Sequence, residues 1–208
     1  MATFLSPDRN IFFPNEKDFN EVFRYLGYKK IDKPDLLTKE LVQQCTMEMF
    51  PLINPKAVFE IFPLQVNNDN ETISFADLSF KSHDLCRNLN GCIKVGILAS
   101  TIGPQVDNLI HRYEKIDTAK AAIMQGTGAM YIEKLVDYTN NEIEKMARIE
   151  DGRCKPRYSP GYGDVSLEIQ KEFFRLLPCS KIGLTLMDSL IMAPEKSVTA
   201  FAGIFAAQ

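Results

Sequence analysis

Paired cysteines, clustered histidines, long apolar runs and an excess of either charge are all missing from this 208-residue chain. Its five cysteines (Cys45, Cys86, Cys92, Cys154 and Cys179) are odd in number and contain no Cys-x-x-Cys, and His83 and His111 are the only histidines. A structural zinc site needs four well-spaced ligands, so a zinc module is excluded and the thiols read as reduced and mostly buried. No run approaches the ~18 apolar residues that span a bilayer. The opening Met1-Ala2-Thr3-Phe4-Leu5 has no charged segment followed by an apolar core, so the expectation is a cytoplasmic protein with no membrane association. With 24 basic against 27 acidic residues, a pI near 5.5 and no aromatic-interleaved basic stripe, nucleic acid is not an expected partner. Gly-x-Ser-x-Gly is absent, and so is a Cys–His pair in hydrolase-type surroundings, which removes a self-contained hydrolase. Gly126-x-Gly128 and Gly161-x-Gly163-x-x-Ser166 imitate part of a dinucleotide fingerprint, yet neither follows a strand or supplies the third glycine. Repeats, low-complexity tracts and linkers are absent too.

What is present suits a globular fold. A 45% hydrophobic content supports a substantial core, and we read residues 1–208 as a single domain. Asn15 opens a helix with Phe19, Val22, Phe23 and Leu26 on one face and Gly27 at its end; Arg24 and Tyr25 within it are functional candidates or an exposed Arg beside a packed ring. A second helix runs from Asp35 to Met49, with Pro34 suited to its first turn, Pro51 stopping it, and either Leu37 or Val42 joining Leu41, Cys45 and Met49 on its face. The two helices are expected to pair. Residues 58–66 form a strand that Pro63 makes an edge or a bulge, and Thr72–Phe75 returns as a hairpin. Ser82 caps a short helix, and residues 93–99 form a central strand. At Ser100-Thr101-Ile102-Gly103-Pro104 the chain passes into a helix, a junction that either holds an anion or only caps. Residues 117–147 are helical, with Gly126 and Gly128 able to split them in two. Ser166 caps a helix that Pro178 ends, residues 181–187 read as a strand, 193–197 as a turn, and 198–205 as the last strand. This order lacks regular βαβ alternation, so the fold class is α+β, a mostly antiparallel or mixed twisted sheet packed with helices.

Arg157-Tyr158-Ser159-Pro160-Gly161-Tyr162-Gly163-Asp164 joins a cation, two aromatics and a backbone that regular structure cannot hold. Pro160 favours a turn, while Gly161 and Gly163 permit positive φ and close approach of another molecule. Arg157 offers a planar fork for a carboxylate or phosphate, and Tyr162 offers a ring face. The alternatives are a loop for a small anionic ligand with a flat part, or a plain surface turn with a solvated Arg. Glu133, on the long helix beside Lys134, is either a partner for a ligand ammonium or an exposed carboxylate.

Arg-x-x-x-Gly-Tyr at 157–162 resembles the S-adenosylmethionine-binding signature of the activation domain of cobalamin-dependent methionine synthase. Three further stretches occur in the order expected of that family's short, free-standing members: Phe23-Arg24-Tyr25-Leu26-Gly27-Tyr28, residues 99–106, and Met192-Ala193-Pro194-Glu195-Lys196-Ser197-Val198. The resemblance covers nearly the whole chain. One departure is Gly163, where the large fused enzymes usually have proline; it keeps the turn but loosens it.

The resemblance implies an S-adenosylmethionine-binding reactivation module that supports reductive methylation of an oxidised corrinoid. Arg157 would take the methionyl carboxylate, the main chain at Tyr158, Ser159, Gly161 and Gly163 the polar atoms, and Tyr162 would pack along the ligand. Glu133 would receive the ammonium or a ribose hydroxyl, and the region of Lys196 and Ser197 would lie near the loop, with Asp188 and Ser189 as weaker candidates. The chain has no Asp-x-His-x-x-Gly cobalamin loop, so the cobalamin would come from a partner, either a methionine synthase or another corrinoid protein, with flavodoxin as a possible electron donor. The alternatives are a non-catalytic binding or regulatory module of this fold, or a reactivation partner of another corrinoid methyltransferase.

Overall fold

In the computed structural model, which describes residues 1–29, 31 and 33–206, three long strands form the centre. β2 (Lys56–Asn67) runs antiparallel to β5 (Lys94–Thr101), with Lys56 opposite Thr101 and Pro63 opposite Lys94, and β9 (Ser197–Ala206) takes the other side of β5. β3 (Thr72–Phe75) and β4 (Leu78–Lys81) extend one edge, β6 (Gly152–Cys154) extends the other beyond β9, and β1 (Thr3–Leu5) lies beside the first part of β2. Every strand pair among the described residues is antiparallel. The expected α+β class holds, and the sheet is antiparallel rather than mixed.

β2 is internal, which corrects the edge reading of Pro63. The Leu64 N–H donates to the Ile93 carbonyl, so by alternation the Pro63 nitrogen faces the opposite side. On that side β1 reaches only to Phe59 and β3 starts at Leu64. The proline therefore falls in a gap where no ladder bond is required.

Alternation along the strands divides two cores. Phe59, Leu98, Ala200, Ala202 and Ile204 face one, whereas Val58, Val95, Ile97, Ala99 and Phe201 face the other. Four helices cover the first face: α1 (Glu16–Tyr25), α2 (Leu36–Met49), α4 (Pro104–Ile116) and α5 (Thr118–Arg148). Small residues let α5 sit close, since a Cβ at Gly96 would come within 3.2 Å of Ile143. α3 (His83–Leu89) and α6 (Gln170–Leu176) cover the second face, where Phe173 meets Phe201 edge-on at 4.8 Å.

Capping matches the sequence closely at α1, where Asn15 and Asp18 form a reciprocal capping box, and at α2 and α3, where Asp35 and Ser82 accept from Thr38 and Leu85. The buried face of α2 is Val42, Cys45, Thr46 and Met49, and Leu37 is exposed. Pro34 lies ahead of the Asp35 cap and so outside the first turn. α1 and α2 touch, but each packs chiefly on α5, which corrects the pairing expectation.

α5 is one unbroken helix. Gly126 and Gly128 each cost about 1 kcal/mol against alanine, yet they serve as contact points. A Cβ at Gly126 would lie 3.2 Å from the Tyr25 Cβ, and one at Gly128 would lie 2.9 Å from the Lys196 Cε. The strand expected at 181–187 is mostly a tight 3-10 turn over Cys179–Ile182; only β7 (Thr185–Leu186) is extended, pairing with β8 (Met192–Ala193) in a separate ribbon. No helix among the described residues is long and apolar enough to cross a membrane.

Candidate functional site

The backbone that carries the loop is an extension of the sheet. Past β6, the Lys155 N–H donates to Gly203, and Tyr158 and Phe201 exchange both of their main-chain hydrogen bonds, at 3.0 and 2.7 Å. Arg157 is thereby fixed next to a central strand. Beyond it the chain closes a compact loop: Gly161 (φ +88°) donates to Val165, Tyr162 to Ser159, and Val165 back to Tyr162.

Two residues hold the loop's far end. Gly163 has φ +52°, and a Cβ there would overlap the Tyr158 hydroxyl and the Asp84 carboxylate. Proline, locked near −65°, cannot adopt that angle. The glycine therefore marks a tightly packed turn at positive φ, which corrects the reading of Gly163 as a loosening. Asp164 accepts from the Ser82 hydroxyl and from the N–H groups of His83, at 2.6 Å, and Asp84, at 3.2 Å. The Ser82 bond first, and then these amides at the start of α3, hold its carboxyl below the usual range.

A groove of about 600 Å³ opens between the loop and α5, lined by Glu133, Val136, Asn140, Pro156, Arg157, Tyr158, Ser159, Tyr162 and Val198. Tyr162 stands 70% exposed on its rim. Arg157 reaches across to α5, with Nη1 2.6 Å from Asp137 Oδ1 and Nη2 3.2 Å from Glu133 Oε2. Its side chain is 23% exposed, against 47% for Glu133 and 68% for Asp137, so the cation is more sheltered than either anion. Lys134 turns away from Glu133 to Asp18 of α1 at 2.6 Å, which leaves Glu133 to Arg157. The loop is thus no plain surface turn with a solvated Arg, and Glu133 is no isolated carboxylate.

Of the expected residues, the fold brings Glu133, Arg157, Tyr158, Ser159 and Tyr162 to one groove; Gly161 and Gly163 shape the loop behind it. The expectation that the main chain from Tyr158 to Gly163 presents free amides is corrected in part. Tyr158, Gly161 and Tyr162 spend theirs inside the protein, and only Ser159 and Gly163 lack a backbone carbonyl partner among the described residues. Tyr158 is held by burial, and then by Asp84 and Asp164, above the usual phenol range.

Other candidates are structural. Ser100 and Thr101 stay buried inside β5, and Gly103 occupies the cap position of α4. At that junction Asp107 accepts from the amides of Glu195, at 2.7 Å, and Lys196, at 3.4 Å, so the helix start carries its own carboxylate instead of an anion site. Lys196 lies along Gly128, with Nζ 2.5 Å from Gln125 Oε1, and burial holds its ammonium below the usual range. Ser197 donates to the Pro194 carbonyl at 2.7 Å. Neither lines the groove, although their neighbour Val198 does, and Asp188 and Ser189 are exposed at the ribbon's turn.

Sequence reasoning missed Asp137 and Asn140. Asp137 follows Glu133 by one helical turn, and that spacing was a legible signal. Asn140 continues the same face, and its Oδ1 is buried without a hydrogen-bond partner among the described residues.

No protein-family profile matches the sequence, and no curated protein does. Solved structures do: the MetH reactivation domain bound to AdoHcy superposes with a TM-score of 0.67 at 14% identity, covering 98% of this chain and 78% of that one. The chain has the fold of the MetH reactivation domain. In the reactivation-domain fold seen here, the groove lies where α5 faces the segment that continues from β6 along β9.

Proposed function

We propose that this protein binds S-adenosylmethionine, and its product S-adenosylhomocysteine, in the groove between α5 and the loop, and serves as a reactivation module for a cobalamin-dependent methionine synthase. The carrying observation is the placement of opposite charges. Arg157 and Glu133 stand 3.2 Å apart at an open groove, the arrangement that an α-amino-acid head complements with its carboxylate on Arg157 and its ammonium on Glu133. The solved domain of this fold is bound to AdoHcy, which supports the same ligand class here.

S-Adenosylmethionine, when bound, supplies an electrophilic methyl group on its sulfonium. The chain's own part is positioning. Arg157, pinned next to β9, fixes the carboxylate; Glu133 fixes the ammonium; the Ser159 amide remains available to a polar atom; Tyr162 covers the ligand from the rim. The corrinoid is brought by a partner, and one electron from a donor such as flavodoxin together with the ligand's methyl group restores the methylated cofactor, releasing AdoHcy. A groove open on one side suits this division of labour.

The test mixes the protein, S-adenosylmethionine, a reductant and a synthase loaded with oxidised cobalamin, and follows the corrinoid absorbance. Reactivation that depends on this protein supports the reading. Equal reactivation without it, alongside retained ligand binding, leaves a binding or regulatory module instead; a response only with another corrinoid methyltransferase reassigns the partner.

A further inference from the structure

The segment that carries Arg157 does not run evenly beside β9. Arg153, Cys154 and Lys155 oppose Phe205, Ile204 and Gly203 in regular register, yet Tyr158 opposes Phe201, so Pro156 and Arg157 together oppose Ala202 alone. That extra residue is a β-bulge. The faces agree. Cys154 packs on the α5 side of the sheet and Tyr158, four residues on, packs on the α3 side, whereas an unbroken strand would put both on one side. Without the bulge Arg157 would stand opposite Phe201 and share its α3-side face. With it, the fork points to Glu133 and Asp137 of α5.

A bulge interrupts the ladder, and here α3 supplies a partner in its place. Pro156 has no N–H to donate, which suits a bulge, and its carbonyl accepts from Asn88 Nδ2 at 3.1 Å, a contact between residues 68 positions apart. Lys155, just before it, reaches the Asn90 carbonyl. α3 is a firm base for both contacts. Leu89 is fully buried, and a Cβ at Gly203 would come within 2.6 Å of its Cδ2, so the helix lies directly on β9. The Asn88 amide is used on one side only. Its Oδ1 is buried with no hydrogen-bond partner among the described residues, a cost that an apolar side chain of similar size would avoid. The donated bond to Pro156 is therefore what asparagine adds at this position.

We infer that Asn88 is a positioning residue for the ligand carboxylate: by tying the Pro156 carbonyl from the α3 side, it fixes the bulge that turns Arg157 toward α5. Asn88 does not line the groove and acts through Arg157. This rests on the ligand class proposed above and adds which residue outside the groove aims its cation. A neutral hydrogen bond changes an equilibrium about 2- to 10-fold, which is the loss of affinity expected when the donor is removed.

The experiment is a double-mutant cycle read by calorimetry with S-adenosylhomocysteine. Asn88→Leu removes the donor and the unpartnered oxygen without adding charge. It should weaken binding by that factor in the wild-type background and change nothing in the Arg157→Ala background. Unchanged affinity in the wild-type background overturns the proposal, and so does an equal loss in both backgrounds, because Asn88 would then support the whole loop and not the fork. If Asn88→Leu does not fold, Asn88→Asp, whose carboxylate cannot donate, replaces it in both arms. Wild-type protein that binds no S-adenosylhomocysteine removes the proposed function, and the crystal structure of the free Asn88 variant then decides the positioning role. Arg157 turned away from Asp137 supports it, and a retained 2.6 Å contact overturns it. The same structure decides if Arg157→Ala binds too weakly to titrate.

Discussion

Arg157 Nη1 lies 2.6 Å from Asp137 Oδ1, one helical turn beyond Glu133, so the one cation lining the groove among the described residues is already held by a second carboxylate. Because Asp137 is mostly exposed, the pair adds only about 0–1 kcal/mol to stability. Its larger effect is competition with a ligand carboxylate for the fork. Asp137→Asn should therefore leave Tm nearly unchanged and raise S-adenosylhomocysteine affinity about 2- to 5-fold by calorimetry, which amounts to less than about 1 kcal/mol. A loss of affinity would mean that Asp137 positions Arg157 and does not compete with the ligand.

Removing the cation itself tests the other half of the pair. A hydrogen bond to a charged group contributes about 1.5–3 kcal/mol, so Arg157→Ala should weaken S-adenosylhomocysteine about 10- to 100-fold. Glu133→Gln should weaken it by a smaller factor, because an amide still accepts a hydrogen bond from the ammonium. Equal affinity in wild type and Arg157→Ala would move the carboxylate site elsewhere.

The parts of this molecule legible in its sequence are those set by local chemistry. Asn15, Asp35 and Ser82 are caps whose oxygens reach amides two or three residues on, and the run at 95–99 is apolar because β5 is buried on both faces there. Readings failed where tertiary contacts decide. Pro63 looks like an edge residue until β1 and β3 are known to leave a gap beside it, and Gly126 and Gly128 look like breakers until Tyr25 and Lys196 are seen lying against them. At the site, Arg157 and the turn glycines stood out, but the partners of Arg157 and Asp164 lie 20 and 82 positions away, at Asp137 and Ser82, and even the helical spacing of Glu133 and Asp137 does not say which cation they meet.

Gly163 offers a test of how the loop is held. A methyl group there meets the Tyr158 hydroxyl and Asp84 and must also sit at φ +52°, a backbone strain of about 1–3 kcal/mol. Gly163→Ala should lower Tm measurably and weaken ligand binding through displacement of Tyr162. Adding Tyr158→Phe removes one of the two overlapping oxygens, so the double variant should recover part of the lost stability. If Gly163→Ala is silent by calorimetry and by thermal melt, the loop has room that the packing does not show.

Asp164 sets the pH response of the same loop. Its folded-state carboxyl is held below the usual range by Ser82 and by the His83 and Asp84 amides, so its stabilising contribution is fully present above the unfolded carboxylate value of about 3.9. As the pH falls through the lower folded value, the carboxylate takes up a proton and two acceptor bonds to the start of α3 weaken. The contribution is limited by the exposure of the group, so the expected signal is local: the protection of the His83 and Asp84 amides, measured against their intrinsic exchange rates at each pH, should hold between neutral pH and roughly pH 4 and fall below it. Asp164→Asn removes the charge while keeping one acceptor, and should lower that protection at neutral pH and make it nearly independent of pH on the acid side. An acid-side loss of protection identical in wild type and variant would assign the transition to other carboxylates.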